Sequence, residues 1–252
     1  MTQRLSVYKQ IALFLVSAAL LAFQIALLQI LATSQWHHFA YLVISIALLG
    51  FGVAGTALAL ARSWILAREA LLLPLLLCAC AITLAGSLSF IQSLFGSFDS
   101  FLLFVNPGEA LRLAASALVL MLPFTCGALA IGIIFTSGAD HIGSHYFANM
   151  LGSGIGCALG LAGLASLPAA LLPPLCGLLA LLSAVALLPC TSKRSVHVCV
   201  LFSLAAVTCF LLVQPGITLS QYKDLRRTLD LPGAEIIVEK PSTFGQLQIV
   251  KS

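Results

Sequence analysis

The chain has 252 residues, of which 61% are hydrophobic and 8% charged, with a mean hydropathy of +1.11. A soluble domain carries about 25% charged residues, so this chain cannot clothe itself for water and reads as an integral membrane protein whose solvent is the lipid bilayer. The formal net charge of +4 is too small for an electrostatic nucleic-acid footprint, and no nucleic-acid partner is expected.

Charge is unevenly placed. Residues 221–252 hold nine of the twenty Asp, Glu, Lys and Arg residues, and the other eleven lie mostly between apolar segments. The composition therefore changes near Pro215. Residues 1–214 read as a polytopic transmembrane domain, and residues 215–252 as the lead-in of a soluble domain whose remainder is expected elsewhere.

A helix needs about 20 apolar residues to cross the hydrocarbon core. Seven segments meet or approach that length, at 11–31, 40–61, 70–90, 110–135, 146–167, 169–188 and 196–213. The runs are continuously apolar rather than alternating, which excludes a β-barrel. The first begins with Arg4 and Lys9, but its apolar run outlasts a signal-peptide core, so it reads as a retained helix. In the fourth, Pro123 removes a mid-helix donor and predicts a kink. Arg112, close to Glu109 near the start of that segment, is placed to snorkel to the interface.

The fifth segment carries Gly152, Gly156 and Gly160 on one helix face, a spacing that lets a neighbouring helix approach closely. Its Gly-Ser-Gly-Ile-Gly string mimics a dinucleotide-binding loop. It lies inside an apolar run, however, with no preceding strand and no acidic residue about 20 positions later. Pro168, Pro173 and Pro174 crowd the start of the sixth segment, which is then either a short crossing or a re-entrant element. The fold class is an all-α polytopic membrane protein with about seven transmembrane helices, or six plus a re-entrant segment, and a short C-terminal β-hairpin-like tail.

With the N-terminus inside, Arg4, Lys9, Arg62, Arg68, Lys193 and Arg194 face the cytoplasm, as the positive-inside rule prefers. Seven crossings then put the tail outside; with a re-entrant sixth segment six crossings remain, the tail is cytoplasmic, and Lys193 and Arg194 face outside. In the tail, 219–229 reads as a short amphipathic helix or turn, 235–239 as a strand, 240–242 as a turn and 244–250 as a second strand.

The candidate functional polar residues are His37, His38, His141, His145, Asn149 and Gln24. His141 and His145 have the i,i+4 spacing of a metal pair. The 36–38 and 140–145 loops fall on opposite sides of the membrane in either crossing scheme, so neither set supplies a complete site and no metal is assigned. Gln24, Gln29, Ser45, Thr56 and Asn149 are intramembrane polar groups that need partners. The eight cysteines lie in or beside apolar segments without a C-x-x-C pair and read as packing residues. There is no G-x-S-x-G, H-E-x-x-H or P-loop string, so no catalytic residue is assigned.

Five stretches carry a resemblance. Residues 36–56 (WHHFAYLVISIALLGFGVAGT) resemble the second membrane segment of bacterial membrane-bound spermidine synthase-like proteins. His145-Tyr146-Phe147-Ala148-Asn149-Met150-Leu151-Gly152 is similar to their later motif, where a helix opens with Tyr-Phe-Ala-Asp and continues into glycines. Ser220 to Leu225, Leu231 to Ala234 and Glu239 to Val250 resemble the lead-in to their soluble domain. The chain departs from that pattern in three places. Gln24 and Gln29 stand where an acidic residue and an arginine are usual, and Asn149 where an aspartate is usual. Ser242-Thr243-Phe244-Gly245 replaces a Ser-x-Tyr-Gln stretch, so that substrate contact does not carry over.

The resemblance implies a bacterial inner-membrane protein whose membrane region anchors a Rossmann-like domain, either continuous with it or a separate subunit. That domain would transfer an aminopropyl or methyl group. An S-adenosylmethionine-type nucleotide is expected only there, and no cofactor is expected in this chain. A homo-oligomer is left open. Two readings from other classes stand beside it: a small-solute transporter or permease, since broken helices often line substrate sites, and a structural membrane subunit without a site.

Overall fold

The computed structural model describes residues 2–35, 38–95, 102–191, 193–213, 217, 223–229, 231, 235–243 and 245–251. Within these, the side chains of 2–5, 38–40, 94–95, 224, 235, 239, 241 and 245–246 are left out of the description.

Nine α-helices and one hairpin follow in chain order among the described residues. They are α1 (Thr2–Ser34), α2 (His38–Leu60), α3 (Arg62–Ala67), α4 (Glu69–Phe95), α5 (Pro107–Ser137), α6 (Ile142–Ser166), α7 (Leu172–Ala186), α8 (Arg194–Val213), α9 (Asp224–Leu229), β1 (Glu235–Ser242) and β2 (Gly245–Lys251). Seven of these, all but α3 and α9, are long and apolar enough to cross a membrane when the 3-10 turns flanking α7 are included. In hydrocarbon every backbone polar group must find its partner within the segment, which is why uninterrupted helices result.

α1 and α4 form the interior. α1 packs on α6, α7 and α2, and α4 packs on α5, α7 and α8. α7 thus lies between the two central helices. Phe23 and Phe124, both fully buried, meet at 5.7 Å between ring centroids and join α1 to α5. α2, α6 and α8 keep broad apolar faces outward, including Leu48, Phe147 and Phe202. Such faces suit lipid, which solvates them as well as a protein core would.

The re-entrant alternative for the sixth apolar segment does not hold. Leu172, at the start of α7, lies against Gly163 near the end of α6, whereas Leu187 and Cys190, just past its end, sit beside Lys9 and Glu69. α7 therefore runs from one end of the bundle to the other. Its 15 residues cover about 22 Å, and the 3-10 turns Ala169–Leu171 and Leu188–Cys190 extend it. Pro173 falls in the first helical turn, where its missing N–H breaks no hydrogen bond. The prolines shorten the helix without turning it back. Likewise α5 continues through Pro123 as one helix.

The tail differs from its reading as strand, turn, strand at one point. Lys240, Pro241 and Ser242 belong to β1, paired with Leu247, Gln246 and Gly245, so the reversal is tighter and is closed by the Ser242–Gly245 pair. Pro241 is tolerated because a two-stranded ribbon leaves each strand one open edge, where an N–H is not required. A two-stranded hairpin cannot stabilise itself in water. This one rests against α6 and α1.

Candidate functional site

Polar residues are concentrated along one interface and at one end of it. α1 and α6 run parallel: Gly152 faces Phe14, Gly156 faces Ala18 and Gly160 faces Ala22, in the same order on both chains. A methyl group on Gly152 would stand 2.3 Å from the Phe14 carbonyl oxygen, and one on Gly156 would stand 2.3 Å from that of Ala18. At Gly160 the nearest approach is 3.2 Å, to Ala22. The two backbones touch here, and only glycine permits it.

Just before the glycine face, Ser17 Oγ donates to Asn149 Oδ1 at 2.7 Å across the same interface. One turn further, His145 is buried, with Nδ1 at 2.9 Å from the His141 carbonyl oxygen. A carbonyl accepts, so Nδ1 carries the proton of this bond. Nε2 is buried without a hydrogen-bond partner among the described residues. Nearer the end, Gln10 Nε2 donates to Ser144 Oγ at 2.9 Å.

The end itself carries a closed triangle. Lys9 Nζ lies 2.6 Å from Glu69 Oε1 and donates to Ser137 Oγ at 2.9 Å. Ser137 Oγ in turn donates to the same Glu69 oxygen at 2.7 Å. Three helices, α1, α4 and α5, are thereby tied together. Beside the triangle is a half-open cavity of about 140 Å³ lined by Lys9, Glu69, Ala70, Leu73, Pro74, Leu187, Cys190 and Thr191.

At the opposite end Glu109, buried in the first turn of α5, is paired with Arg112 Nη1 at 2.9 Å. Asn106 caps that helix by accepting from Gly108 N. The tail is fastened at this end, where Lys223 Nζ donates to the Ala32 carbonyl near the end of α1 at 3.1 Å. Burial lowers the pKa of the Lys223 ammonium from its ordinary value.

The candidates read from sequence are therefore dispersed. His145 and Asn149 share the α1–α6 interface with the glycines. His141 is exposed and contributes a backbone carbonyl to His145. Gln24 is half-buried in α1 with no side-chain hydrogen bond among the described residues. His37 lies outside the described residues, as does the side chain of His38. The backbone of His38 opens α2 at the end opposite His141. Much of the resembling lead-in, including 220–222 and 232–234, also lies outside them.

Among the described residues no three His, Cys, Asp or Glu side chains gather as a metal site, and the eight cysteines are free thiols. Sequence reading missed the Lys9–Glu69–Ser137 triangle and Ser17. Each was legible as a polar group at or inside an apolar run, but its partner lay 60 or more positions away.

Comparison with known proteins gives no match: no family model, no curated protein and no solved structure resembles the chain closely enough.

Proposed function

We propose that the chain is the membrane domain of a spermidine synthase-like transferase of a bacterial inner membrane. Its seven-helix bundle would anchor a Rossmann-like domain or subunit at the end where the hairpin sits. That soluble part would bind an S-adenosylmethionine-type nucleotide and transfer an aminopropyl or methyl group.

The observation that carries this reading is the hairpin. It is too small to own a core, it rests against α6 and α1, and it still leaves Ile237 60% and Leu247 61% exposed. Large apolar side chains on an open ribbon suit addition to a larger sheet. The sequence resemblance of the same segment to the lead-in of such a soluble domain supports the choice of partner.

Sidedness follows from the basic residues. Among the loops that join spans, Arg62, Arg68, Lys193 and Arg194 all lie at the Lys9 end, and the opposite loops hold none. The positive-inside rule counts such short loops, which supports a cytoplasmic Lys9 end with the hairpin on the far face. A transferase domain there depends on a donor brought across the membrane. That gives the bundle a task beyond anchoring, since one helix would suffice as an anchor.

The test has two parts. A photo-crosslinking residue placed at Ile237 in native membranes should capture a soluble transferase domain, within the same polypeptide or as a subunit. Capture of lipid alone refutes the reading. A single cysteine at Ser242, in a version lacking the eight native ones, should react with an impermeant maleimide from outside intact cells. Reaction only after lysis reverses the orientation.

A further inference from the structure

The cavity at the Lys9 end is not used by the function proposed above, and its chemistry is specific enough to name an occupant class. Its walls divide into two parts. Leu73, Pro74 and Leu187 are apolar, whereas Lys9, Glu69 and Thr191 bring charge and a hydroxyl. The ion pair leaves capacity unspent on both sides. An ammonium has three donors, and Lys9 uses two of them, on Glu69 Oε1 and Ser137 Oγ. Glu69 accepts both of its bonds on Oε1, so Oε2 is unspent among the described residues.

A third acceptor comes from the backbone. Pro74 lies inside α4 and has no N–H, so the Ala70 carbonyl lacks its i+4 donor. Both residues line the cavity. A ligand therefore meets acceptors from Glu69 and Ala70, a donor from Lys9 and a hydroxyl from Thr191, with no existing pair to break.

We propose that this cavity binds a primary ammonium joined by a short chain to an anionic oxygen group, the chemistry of phosphoethanolamine. The ammonium donates to Glu69 Oε2 and the Ala70 carbonyl, and the anionic oxygen accepts from Lys9. The whole is charge-neutral, which suits a half-buried site. An apolar cavity of about 150 Å³ holds a benzene-sized molecule, so this one takes the aminoethyl part and leaves the phosphate at its mouth. A trimethylammonium fits poorly because it has no N–H to donate and three added methyl groups. A glycerol headgroup lacks the cation. The site opens at the bundle end, at the depth of lipid headgroups.

The experiment is native mass spectrometry of the full chain in detergent with equal amounts of phosphatidylethanolamine, phosphatidylcholine and phosphatidylglycerol. Phosphatidylethanolamine should be retained at least tenfold over the other two. Ala70→Trp fills the cavity from an exposed position and keeps the ion pair, so it should abolish the preference while leaving thermal unfolding unchanged. Glu69→Gln should lower the preference as well. Equal retention of the three lipids by the wild type, or an undiminished preference in Ala70→Trp, overturns the proposal. Free O-phosphoethanolamine as competitor decides the source. Displacement of the lipid supports a soluble ligand of this class, and lack of displacement supports the lipid itself.

Discussion

Replacing Gly156 with alanine sets two effects against each other. Alanine is the better helix former, by about 1 kcal/mol in a helix interior. Its methyl, however, would stand 2.3 Å from the Ala18 carbonyl oxygen. Ordinary contact begins near 3.4 Å, so α1 and α6 must separate by 3.4 − 2.3, roughly 1.1 Å, at that point. A gap of 0.5–1 Å forfeits about a quarter to a half of the dispersion energy of each atom pair across it. Overpacking by one methyl costs about 1–3 kcal/mol in tightly packed cores. The collision is with backbone, which cannot rotate away, so the upper part of that range applies. The net expectation is destabilisation by about 1–2 kcal/mol.

Two glycines of the same helix serve as controls. Gly154 has nothing within 4 Å of the added methyl, so Gly154→Ala should be neutral or slightly stabilising. A methyl on Gly163 would approach Leu172 Cδ2 at 2.5 Å, nearly as close as the 2.3 Å at Gly156, but that atom ends a flexible side chain. Gly163→Ala should therefore cost less than Gly156→Ala. Gly152→Ala should match Gly156→Ala, and the double variant should cost less than the sum, because one separation of the helices relieves both collisions. Reversible unfolding in mixed micelles, followed by helical circular dichroism, measures all five. Equal stability of Gly156→Ala and Gly154→Ala would sink the parallel α1–α6 contact.

Other expectations concern the polar groups. His145→Leu removes a buried Nε2 that has no partner among the described residues, and an unsatisfied group of this kind costs about 1–3 kcal/mol. The variant should raise the unfolding midpoint, and a loss of stability would mean that Nε2 is satisfied in the folded protein. A double-mutant cycle on Ser17→Ala and Asn149→Ala should return a coupling of about 0.5–1.5 kcal/mol, the range of interhelical hydrogen bonds in membranes. A coupling of zero would refute the 2.7 Å bond. Lys223→Ala should free the tail from α1, seen as faster hydrogen exchange over 223–229, with the bundle's own stability unchanged. Burial lowers the Lys223 pKa in the docked state, so docking releases protons. It should then tighten as pH rises from the docked pKa toward the free value near 10.4, read from a spin-label distance between α1 and α9. Weakening over that window would reverse the sign.

The fold was largely legible because hydrophobic length is a local signal. Each of the seven apolar runs became a helix long and apolar enough to span, extended beyond the run by flanking residues such as Thr2–Gln10 in α1 and Pro107–Gly108 in α5. Proline was harder to read, because its effect depends on position within the helix. Pro173 in the first turn costs no hydrogen bond, and α5 absorbs Pro123 without ending. Pro241 was read as a turn residue, and only the pairing partner reveals that it sits on an open edge. The site was less legible for the same reason. A four-residue glycine spacing announces a close approach but not its partner, and nothing local in Phe14, Ala18 and Ala22 marks them as the surface it meets.

The distribution of polar groups also bears on what the bundle can do. A through-membrane path for a charged solute needs polar groups spaced along its whole length. Here the α1–α6 interface is polar from Gln10 and Ser144 to Ser17 and Asn149, and then closes to backbone contact at Gly152, Gly156 and Gly160. Contact this tight leaves no lumen between those two helices over the far half of their length. Any route for a substrate must run elsewhere or require α1 and α6 to part, and Gly156→Ala, by holding them apart, would then alter transport and stability in opposite directions. The close-packed half of the interface has no room for a ligand, and the cavity of about 140 Å³ at the Lys9 end is walled instead by α1, α4 and the residues just past α7.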